Sequence, residues 1–244
     1  MLKKSTMLKR SLFVVMLISC IAGNYSYAED DDLEHLQVKL TNQWQLIKND
    51  KRHNIKTYAK QEDGHRFRSF KVESTLNSSM KNIVQLLADF DNYKKWYWET
   101  KESKLLKTIS PTEHYIYMVH NSPYGLPDRD AAIRIKVIPQ TPEKAQLAFL
   151  IEAVPEYLPI KKDLVRIPAE DMLITLKPIS ANNVQLIAEG YVDPGGNFPN
   201  WANNLIQRTA PYTILVGLKR MLANNQNNAK IDIPFPVYEI NYYQ

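Results

Sequence analysis

The sequence predicts an α+β protein in which a long antiparallel sheet is covered by one long helix near the carboxyl end. Several short segments alternate apolar and polar side chains, which is typical of strands with one buried face. A later stretch, residues 199–222, instead repeats apolar side chains at helical spacing. The apolar sheet face must be covered by another element, and this stretch is the candidate for covering it.

The composition is that of an ordinary globular protein. The chain has 244 residues, of which 44% are hydrophobic and 23% charged, with 7 glycines, 14 prolines and 1 cysteine. These values exclude collagen, disulfide scaffolds and extensive disorder. The net charge of +5 is concentrated at the start, because four basic residues lie in the first ten positions and no acidic residue precedes Glu29. Without residues 1–28 the chain has 27 basic and 26 acidic residues, so its charge gives no support to a nucleic-acid partner.

Residues 1–28 are predicted to be an export signal. A basic start is followed by an apolar run of about eleven residues, which is too short to span a hydrocarbon core of about 30 Å as a helix. Small residues at Ser26 and Ala28 predict cleavage after Ala28 and a periplasmic or secreted protein. The alternative is a lipoprotein in which Cys20 is lipidated and becomes the first residue. Cleavage after Ala28 leaves no cysteine, and therefore no disulfide or thiol chemistry.

The remaining chain is predicted to form one domain over residues 29–223, followed by a polar linker and an extended tail over residues 224–244. Apolar residues from Leu36 to Ile47 recur at helical spacing and predict an amphipathic opening helix over residues 33–47. In the tail, Ile231, Ile233, Phe235 and Val237 alternate with other residues, as in an edge strand. Such a strand would pack on its own domain or add to the sheet of a partner.

The middle of the chain is rich in strands. A hairpin is predicted over residues 55–75, because Asp63-Gly64 between its two strands is a turn signal. A short helix follows over residues 80–87, with Ser78 or Ser79 as its cap, and another helical turn near Asp91. Six further strands are predicted over residues 103–109, 114–120, 131–138, 145–154, 171–177 and 184–192. Prolines fall between them, where a missing backbone donor is tolerated.

Four motifs occur in a recognisable order. Trp96 follows the short helices, the run from Pro123 to Asp130 contains Arg129-Asp130, Val165-Arg166 comes later, and residues 193–199 form an Asp, Gly and Pro turn before the last helix. With these motifs the sequence resembles the START family, the lipid-transfer domains related to steroidogenic acute regulatory protein. The resemblance covers residues 33–222. It implies the helix-grip fold, in which a curved antiparallel sheet wraps a long C-terminal helix.

The function implied by the resemblance is non-enzymatic binding and transfer of a lipid or sterol-like molecule by a monomer that needs no cofactor. The ligand would lie in a cavity between the sheet and the last helix. The residues predicted to bind it are Tyr117, Ile133, Ile135, Leu147, Phe149, Met172, Ile174, Trp201, Leu205 and Tyr212. Many family members carry an inward Arg six residues beyond the first Arg of the Arg-Asp strand, whereas this chain has Ile135 there.

Two mechanical features are predicted for the transfer cycle. Residues 154–162 correspond to an omega loop at the cavity mouth in the family. Its apolar side chains, Tyr157, Leu158 and Ile160, would enter the membrane interface, while Lys161 and Lys162 would meet anionic head groups at about 1 kcal/mol each. The alternative is a proline-stiffened loop packed on its own domain. Pro211, in the middle of the last helix, lacks a backbone donor and predicts a kink that would act as a lid hinge or as a static bend.

Two other functions stay open. The first is a cyclase or aromatase type of enzyme using the same cavity, for which His120, Tyr117 and Asp130 are the candidate acids and bases. The second is an interaction module without a cavity. Asp128-Arg129-Asp130 is not expected to bind a metal, because no phosphate-cradling loop accompanies it, and the histidines lack ligand spacing. Arg129 is instead expected to pair with a nearby carboxylate and to fix the start of its strand, with Asp130 as the structural partner.

Overall fold

The structure is a computed structural model that describes residues 42–224 and 231–243. The strands are β1 (Gln45–Asp50), β2 (Ile55–Lys60), β3 (Ser69–Leu76), β4 (Thr100–Ser110), β5 (Glu113–His120), β6 (Arg129–Ile138), β7 (Leu147–Ala153), β8 (Val165–Arg166), β9 (Ala169–Ser180) and β10 (Asn183–Asp193). The helices are α1 (Met80–Ala88) and α2 (Asn200–Ala223), with 3-10 turns at Phe90–Lys95, Pro155–Tyr157 and Ile240–Tyr242. The predicted export signal, residues 1–28 with Cys20, lies outside the described residues.

The strands form one sheet in the order β1-β2-β3-β10-β9-β7-β6-β5-β4, and the short β8 pairs in parallel with β6. All other pairs are antiparallel. The predicted α+β class is therefore confirmed. The two faces are clearly different on β6, where Ile133 and Ile135 are buried while Arg134 is half-buried and Lys136 exposed. We call the face that carries Ile133 and Ile135 the inner face and the opposite one the outer face.

The prediction of a helix over residues 33–47 is wrong at the carboxyl end of this segment. Residues from Gln45 onward form the edge strand β1, which pairs with β2 through Gln45 and Ala59. A register shift between Leu46 and Lys48 breaks the two-residue alternation that identifies a strand in sequence. The earlier part of this prediction lies outside the described residues.

The structure differs from the predicted strands at two further places. β9 runs three residues beyond the predicted end and includes Pro178. Pro178 is tolerated because it lies opposite Val184, where the pairing with β10 is irregular. The two-residue strand β8 was not predicted, because two residues are too few to show a period.

Helix α2 is continuous through Pro211, although this residue has no backbone N–H group to donate. The lid hinge at Pro211 stays a prediction. Its carboxyl half is held closely against the rest of the domain. A Cβ atom added to Gly217 would lie 2.3 Å from the carbonyl oxygen of Trp96, so only glycine fits this approach. Lys219 donates a hydrogen bond of 2.5 Å to the carbonyl oxygen of Thr75.

The carboxyl-terminal tail packs on its own domain and is not the expected edge strand. Residues 231–237 form neither helix nor strand, and Ile233, Phe235 and Val237 contact the main core. The carboxylate of Glu239 accepts hydrogen bonds of 3.1 and 3.2 Å from the backbone N–H groups of Met80 and Lys81 at the start of α1. A carboxylate at a helix N-terminus is stabilising, so the tail fastens α1 to the sheet.

Two of the sequence motifs meet in a buried ion pair on the outer face. The guanidinium of Arg166 donates to both carboxylate oxygens of Asp130 at 2.9 and 2.8 Å, and the Tyr117 hydroxyl donates to the same carboxylate at 3.0 Å. The two charged side chains are 6% and 1% exposed. Burial alone would raise the pKa of Asp130, but the hydrogen bonds from Arg166 and Tyr117 hold this pKa below its ordinary value. The stabilisation is therefore lost as the pH falls through that lowered value.

The expected role of Arg129 is corrected by this arrangement, because Asp130 pairs with Arg166 instead. Arg129 donates to the Ser122 hydroxyl at 2.9 Å and to the backbone carbonyl oxygens of Pro127 and Pro194. Its guanidinium also lies 4.6 Å from the ring centroid of Phe198. Arg129 does fix the start of β6, but it does so by joining two loops rather than by pairing with a carboxylate.

We predict that Asp130→Asn destabilises the fold strongly. The substitution leaves the Arg166 guanidinium buried without a countercharge, which costs about 3–5 kcal/mol of the free energy of unfolding. Urea unfolding followed by circular dichroism measures this loss. Glu152→Gln is the matched control, because Glu152 forms an exposed pair with Arg134 at 2.6 Å. Equal unfolding midpoints for the two variants would show that the buried pair contributes no more than the exposed one.

Candidate functional site: a cavity between the sheet and helix α2

A cavity of about 220 Å³ lies between the inner face of the sheet and α2. An apolar cavity of about 150 Å³ is already large enough to take up benzene. Strands β3, β5, β6, β7, β9 and β10 supply its sheet wall, and α1, the turn after it and α2 supply the other walls. Four of the residues predicted to bind a ligand lie in this wall, namely Ile133, Ile135, Met172 and Ile174. Their role in binding stays a prediction.

Six residues of the predicted set lie elsewhere. Leu147 and Phe149 are buried in the core and are not part of the cavity wall. Tyr117 points to the outer face, where it contacts Asp130. The remaining three lie on α2 but away from the cavity. Trp201 and Leu205 are 49% and 39% exposed, and the Tyr212 hydroxyl donates to Asp50 on β1 at 2.5 Å.

The inward face of α2 was missed because it mixes amide and small side chains with its apolar ones. The residues that α2 contributes to the cavity wall are Asn203, Ile206, Gln207, Ala210, Pro211, Ile214, Leu215 and Leu218. Most of them follow the spacing of a helix face, but two are amides and one is alanine. A search for the apolar stripe therefore selects the neighbouring positions. A small or polar side chain facing a sheet leaves space unfilled, so this face is itself the signal for a cavity.

The cavity wall contains a buried carboxyl that sequence reasoning did not identify. Glu170 is 8% exposed and has no hydrogen-bond or ion-pair partner among the described residues. It shares the inner face of β9 with Met172 and Ile174, two residues apart from each other. Burial raises the pKa of the Glu170 carboxyl to about 7. The apolar alternation of β9 could have indicated its inward position, since Glu170 continues that series.

Two further polar atoms in the wall are buried without a hydrogen-bond partner, the indole nitrogen of Trp96 and the Oε1 atom of Gln207. Gln207 uses its amide nitrogen to donate to the carbonyl oxygen of Arg68 at 3.2 Å. Unsatisfied buried polar groups are uncommon in native proteins. Their presence in the same wall as Glu170 indicates a cavity that is not purely structural.

His120 lies in the wall but is held in its neutral form. Its Nδ1 atom is 3.3 Å from the Thr100 hydroxyl, and the ring makes a hydrogen bond with the backbone of Trp98. Burial lowers the pKa of His120 to about 4. Tyr117 and Asp130, the other acid–base candidates from the sequence, lie on the outer face. The three candidates therefore do not converge on one point.

We infer that the cavity opens beside the loop of residues 121–128, because a residue of its wall is exposed there. Asn121 lies in the cavity wall and is exposed to solvent. In the same loop Tyr124 is 83% exposed, and its ring lies 5.4 Å from that of Trp201, edge to face. We call these two residues the aromatic pair. It is an exposed apolar feature next to the opening.

No residue of the loop of residues 154–162 lines the cavity, and its role as a membrane gate stays a prediction. Tyr157 stacks on Tyr115 of the outer face at 4.3 Å, and the Lys161 amine lies 4.4 Å from the Tyr117 ring centroid. Arg166 holds the loop through the carbonyl oxygens of Pro155, Leu158 and Pro159. Neither Ile160, which is 76% exposed, nor Lys162 lines the cavity. The loop packs on its own domain, as the alternative interpretation expects.

Comparison with known proteins identifies the fold. No family model matches the chain. The crystal structure of the STAR-related lipid transfer protein from Xanthomonas axonopodis is 29% identical and superimposes with a TM-score of 0.67, covering 74% of this chain and 98% of that one. The chain has the START fold. The predicted resemblance to the START family and the helix-grip fold are thereby confirmed.

Two solved human structures with the same fold and one bacterial sequence are more distant from this chain. Human STARD10 is 18% identical with a TM-score of 0.63, covering 88% of this chain and 92% of its own. Human StAR-related lipid transfer protein 5 is 12% identical with a TM-score of 0.64, covering 81% and 93%. An uncharacterized protein of Pseudomonas aeruginosa is 25% identical over 183 residues, which are 74% of this chain and 87% of that protein.

Within the described part of this START fold, no cluster of three or more His, Cys, Asp or Glu side chains could hold a metal ion. The helices described here also include none with the length and apolar character needed to cross a bilayer.

We predict that the Glu170 carboxyl makes the ligand-free fold less stable as the pH rises. The pKa of about 7 in the folded state exceeds the ordinary value of 4.5, so the unfolded state loses its proton first. Glu170→Gln removes this effect and is expected to be more stable than wild type by roughly 3 kcal/mol at pH 8, with a small difference at pH 5. Urea unfolding at the two pH values measures it.

The control for this prediction is Asp171→Asn, because Asp171 is exposed on the opposite face of the same strand. Its stability should follow the wild-type pH dependence. An identical pH dependence for wild type and Glu170→Gln would mean that the Glu170 carboxyl is ionised in the folded protein and compensated there.

Proposed function

We propose that this protein binds a lipid or another hydrophobic molecule in the cavity beneath α2 and transfers it between membranes without catalysing a reaction. The cavity is the observation that carries the proposal. Its wall is mainly the apolar inner face of a ten-stranded sheet, a surface that in an ordinary domain would be filled by side chains. The 29% identical Xanthomonas protein, described as a lipid transfer protein, supports the same function.

The energetics of transfer follow from the burial of hydrocarbon. Burial of an acyl chain of about 16 carbons is worth roughly 12 kcal/mol at about 0.8 kcal/mol per methylene. A membrane offers most of the same free energy, so the net preference for the protein is small. Exchange between bilayers then needs no nucleotide, and the opening of the cavity controls its rate.

The contact with the membrane is proposed to involve the aromatic pair, Tyr124 and Trp201, and not the loop of residues 154–162. The aromatic pair is exposed and adjoins the opening, whereas the loop is fastened to the outer face. Aromatic side chains favour the interface between head groups and acyl chains. A ligand leaving the opening would therefore enter the bilayer directly.

A cyclase or aromatase type of enzyme is the second candidate, favoured by the raised pKa of Glu170 in a cavity. The carrier is preferred because the other acid–base candidates do not converge with Glu170. Mass spectrometry of a bound lipid before and after prolonged incubation separates the two functions. A carrier leaves the mass of the lipid unchanged, and an enzyme changes it.

The proposed site of action is the bacterial cell envelope. The support is the sequence of residues 1–28, with cleavage after Ala28 or, alternatively, lipidation at Cys20. Mass spectrometry of protein purified from its native host reads the mature N-terminus and any bound lipid together.

We predict that filling the cavity strongly reduces lipid uptake. Ala188 is 7% exposed in the cavity wall, and Ala188→Phe places a large side chain where the ligand would lie. The substitution displaces about three methylenes of ligand, so uptake should fall at least tenfold. The assay is transfer of a fluorescent phospholipid between donor and acceptor vesicles, with the unfolding midpoint measured in parallel.

The matched control for this experiment is Ala181→Phe, which makes the same change in the exposed turn between β9 and β10. It should transfer lipid like wild type. Undiminished transfer by a folded Ala188→Phe variant would contradict the assignment of this cavity as the ligand site. Absence of uptake by wild type for every lipid offered would contradict the carrier function itself.

We predict that the aromatic pair sets the rate of transfer. The double substitution Tyr124→Ser and Trp201→Ser should lower the transfer rate about tenfold or more, because two interfacial aromatic anchors are lost. Ligand binding in the absence of vesicles should be unchanged, since neither side chain lines the cavity. Tyr157→Ser with Ile160→Ser is the control in the loop of residues 154–162. The reverse result, with only the control slowed, would restore that loop as the membrane contact.

A further inference from the structure

Glu170 is the cavity residue whose chemistry the proposed function leaves unexplained. It is more than nine-tenths buried, it lies on the inner face of β9, and no described residue donates a hydrogen bond to it. A buried carboxylate is stable only when it is paired or hydrogen-bonded. A simple container for acyl chains has no use for such a group, so the partner of Glu170 is to be sought in the ligand.

The charged and titratable groups around the cavity do not supply this partner. Arg129 on β6 spends its donors on Ser122 and on two backbone carbonyl oxygens. Tyr97 interacts electrostatically with Glu170 and has a raised pKa, chiefly through burial. His120 on β5 is neutral, because burial lowers its pKa to about 4. None of these groups is a free cation next to the carboxyl.

Arg68 is the remaining cation in the wall, and it is separated from Glu170 by one strand. Glu170 pairs across β9 and β10 with Val192, and the β10–β3 register continues from Gly190 opposite Phe70 toward Arg68. Two strand spacings correspond to about 10 Å between backbones. Glu170 does not contribute to the pKa shift of Arg68, and Arg68 does not contribute to that of Glu170, so the two side chains form no ion pair. The described residues therefore leave Glu170 without a countercharge.

We propose that Glu170 binds the ammonium group of an amine-bearing amphiphile whose hydrocarbon part fills the apolar end of the cavity. This inference rests on the proposed function and names the class of ligand. An ammonium group supplies both the countercharge and the hydrogen-bond donors that the carboxylate lacks. The rings of Tyr97 and Trp98 lie in the same wall and suit a cation.

A ligand hydroxyl is the competing partner, and its chemistry fits less well. A hydroxyl donates one hydrogen bond but carries no charge, so the ionised carboxylate would stay uncompensated in the cavity. Replacement of Glu170 by glutamine keeps hydrogen-bonding capacity and removes the charge, which separates the two possibilities. Burial raises the pKa of Glu170 to about 7, so binding of an ammonium should also strengthen between pH 5.5 and pH 8.

The experiment compares dodecylamine and 1-dodecanol, which share one hydrocarbon chain, below their aggregation limits. Binding is followed by tryptophan fluorescence, because Trp96 and Trp98 both line the cavity. For wild type we expect dodecylamine to bind at least tenfold more tightly than dodecanol at pH 8, with a smaller preference at pH 5.5. Glu170→Gln should lose the preference at both pH values while it binds dodecanol at least as tightly as wild type does, because the uncompensated charge is gone.

Asp171→Asn is the matched control, because it removes one negative charge from the outer face of the same strand. It should keep the amine preference, which excludes general attraction of a cation to the protein surface. Equal binding of the two amphiphiles to wild type, or an amine preference that survives in Glu170→Gln, would overturn the inference and leave the carrier function intact. Failure of wild type to bind either amphiphile would count against the proposed function as well.

Discussion

The inner face of the sheet offers more apolar surface than one helix can cover, and the rest of the molecule follows from this mismatch. Interiors are normally packed as densely as organic crystals. Helix α2 meets this face with two amides and an alanine, Asn203, Gln207 and Ala210, which are too small or too polar to fill it. The space between them is the cavity. The cavity therefore exists because α2 has no large apolar side chains at these three positions.

The domain is fastened unevenly around that space. On the outer face, the buried Asp130–Arg166 pair and the contacts of Arg166 to the loop of residues 154–162 hold β5, β6 and β8 together. The carboxyl half of α2 is equally constrained by Gly217 against Trp96. The amino half of α2 is held by the hydrogen bond from Gln207 to the carbonyl oxygen of Arg68 and by the burial of Ala202. If α2 opens as a lid, its hinge is predicted at Pro211, which has removed one backbone hydrogen bond.

Most of the fold was predictable because strands and helices of this protein have clear periods. Ile133, Ile135 and their neighbours on β6 alternate without interruption, and the hairpin of β2 and β3 has an Asp-Gly turn. Prediction failed where a period is broken or too short. The bulge at Leu46 hides β1, and β8 has only two residues. The order of the four motifs was enough to predict the START fold. The contact between Asp130 and Arg166, which belong to two of these motifs, exists only in the folded chain.

The site was less predictable than the fold for a different reason. A stripe of apolar residues marks the face of a helix that packs on a core, whereas a cavity is marked by residues that do not pack. Trp201, Leu205 and Tyr212 belong to the apolar stripe of α2 and lie away from the cavity. Gln207 and Glu170 are polar, so a search for apolar stripes does not select them, and they lie in the cavity wall.

A polar residue at a buried position lowers the stability of the empty fold, and natural sequences retain such residues chiefly at functional sites. Glu170 meets this description more fully than any other residue described in the cavity wall, because its carboxyl is both ionisable and without a partner. An apolar cavity alone would discriminate poorly among ligands of similar length. A single buried carboxyl makes the cavity selective for the polar group of the ligand. A ligand group that cannot pair with the carboxyl leaves buried polar atoms without hydrogen bonds, which costs free energy of binding. Selectivity and instability of the empty protein are then two consequences of the same side chain.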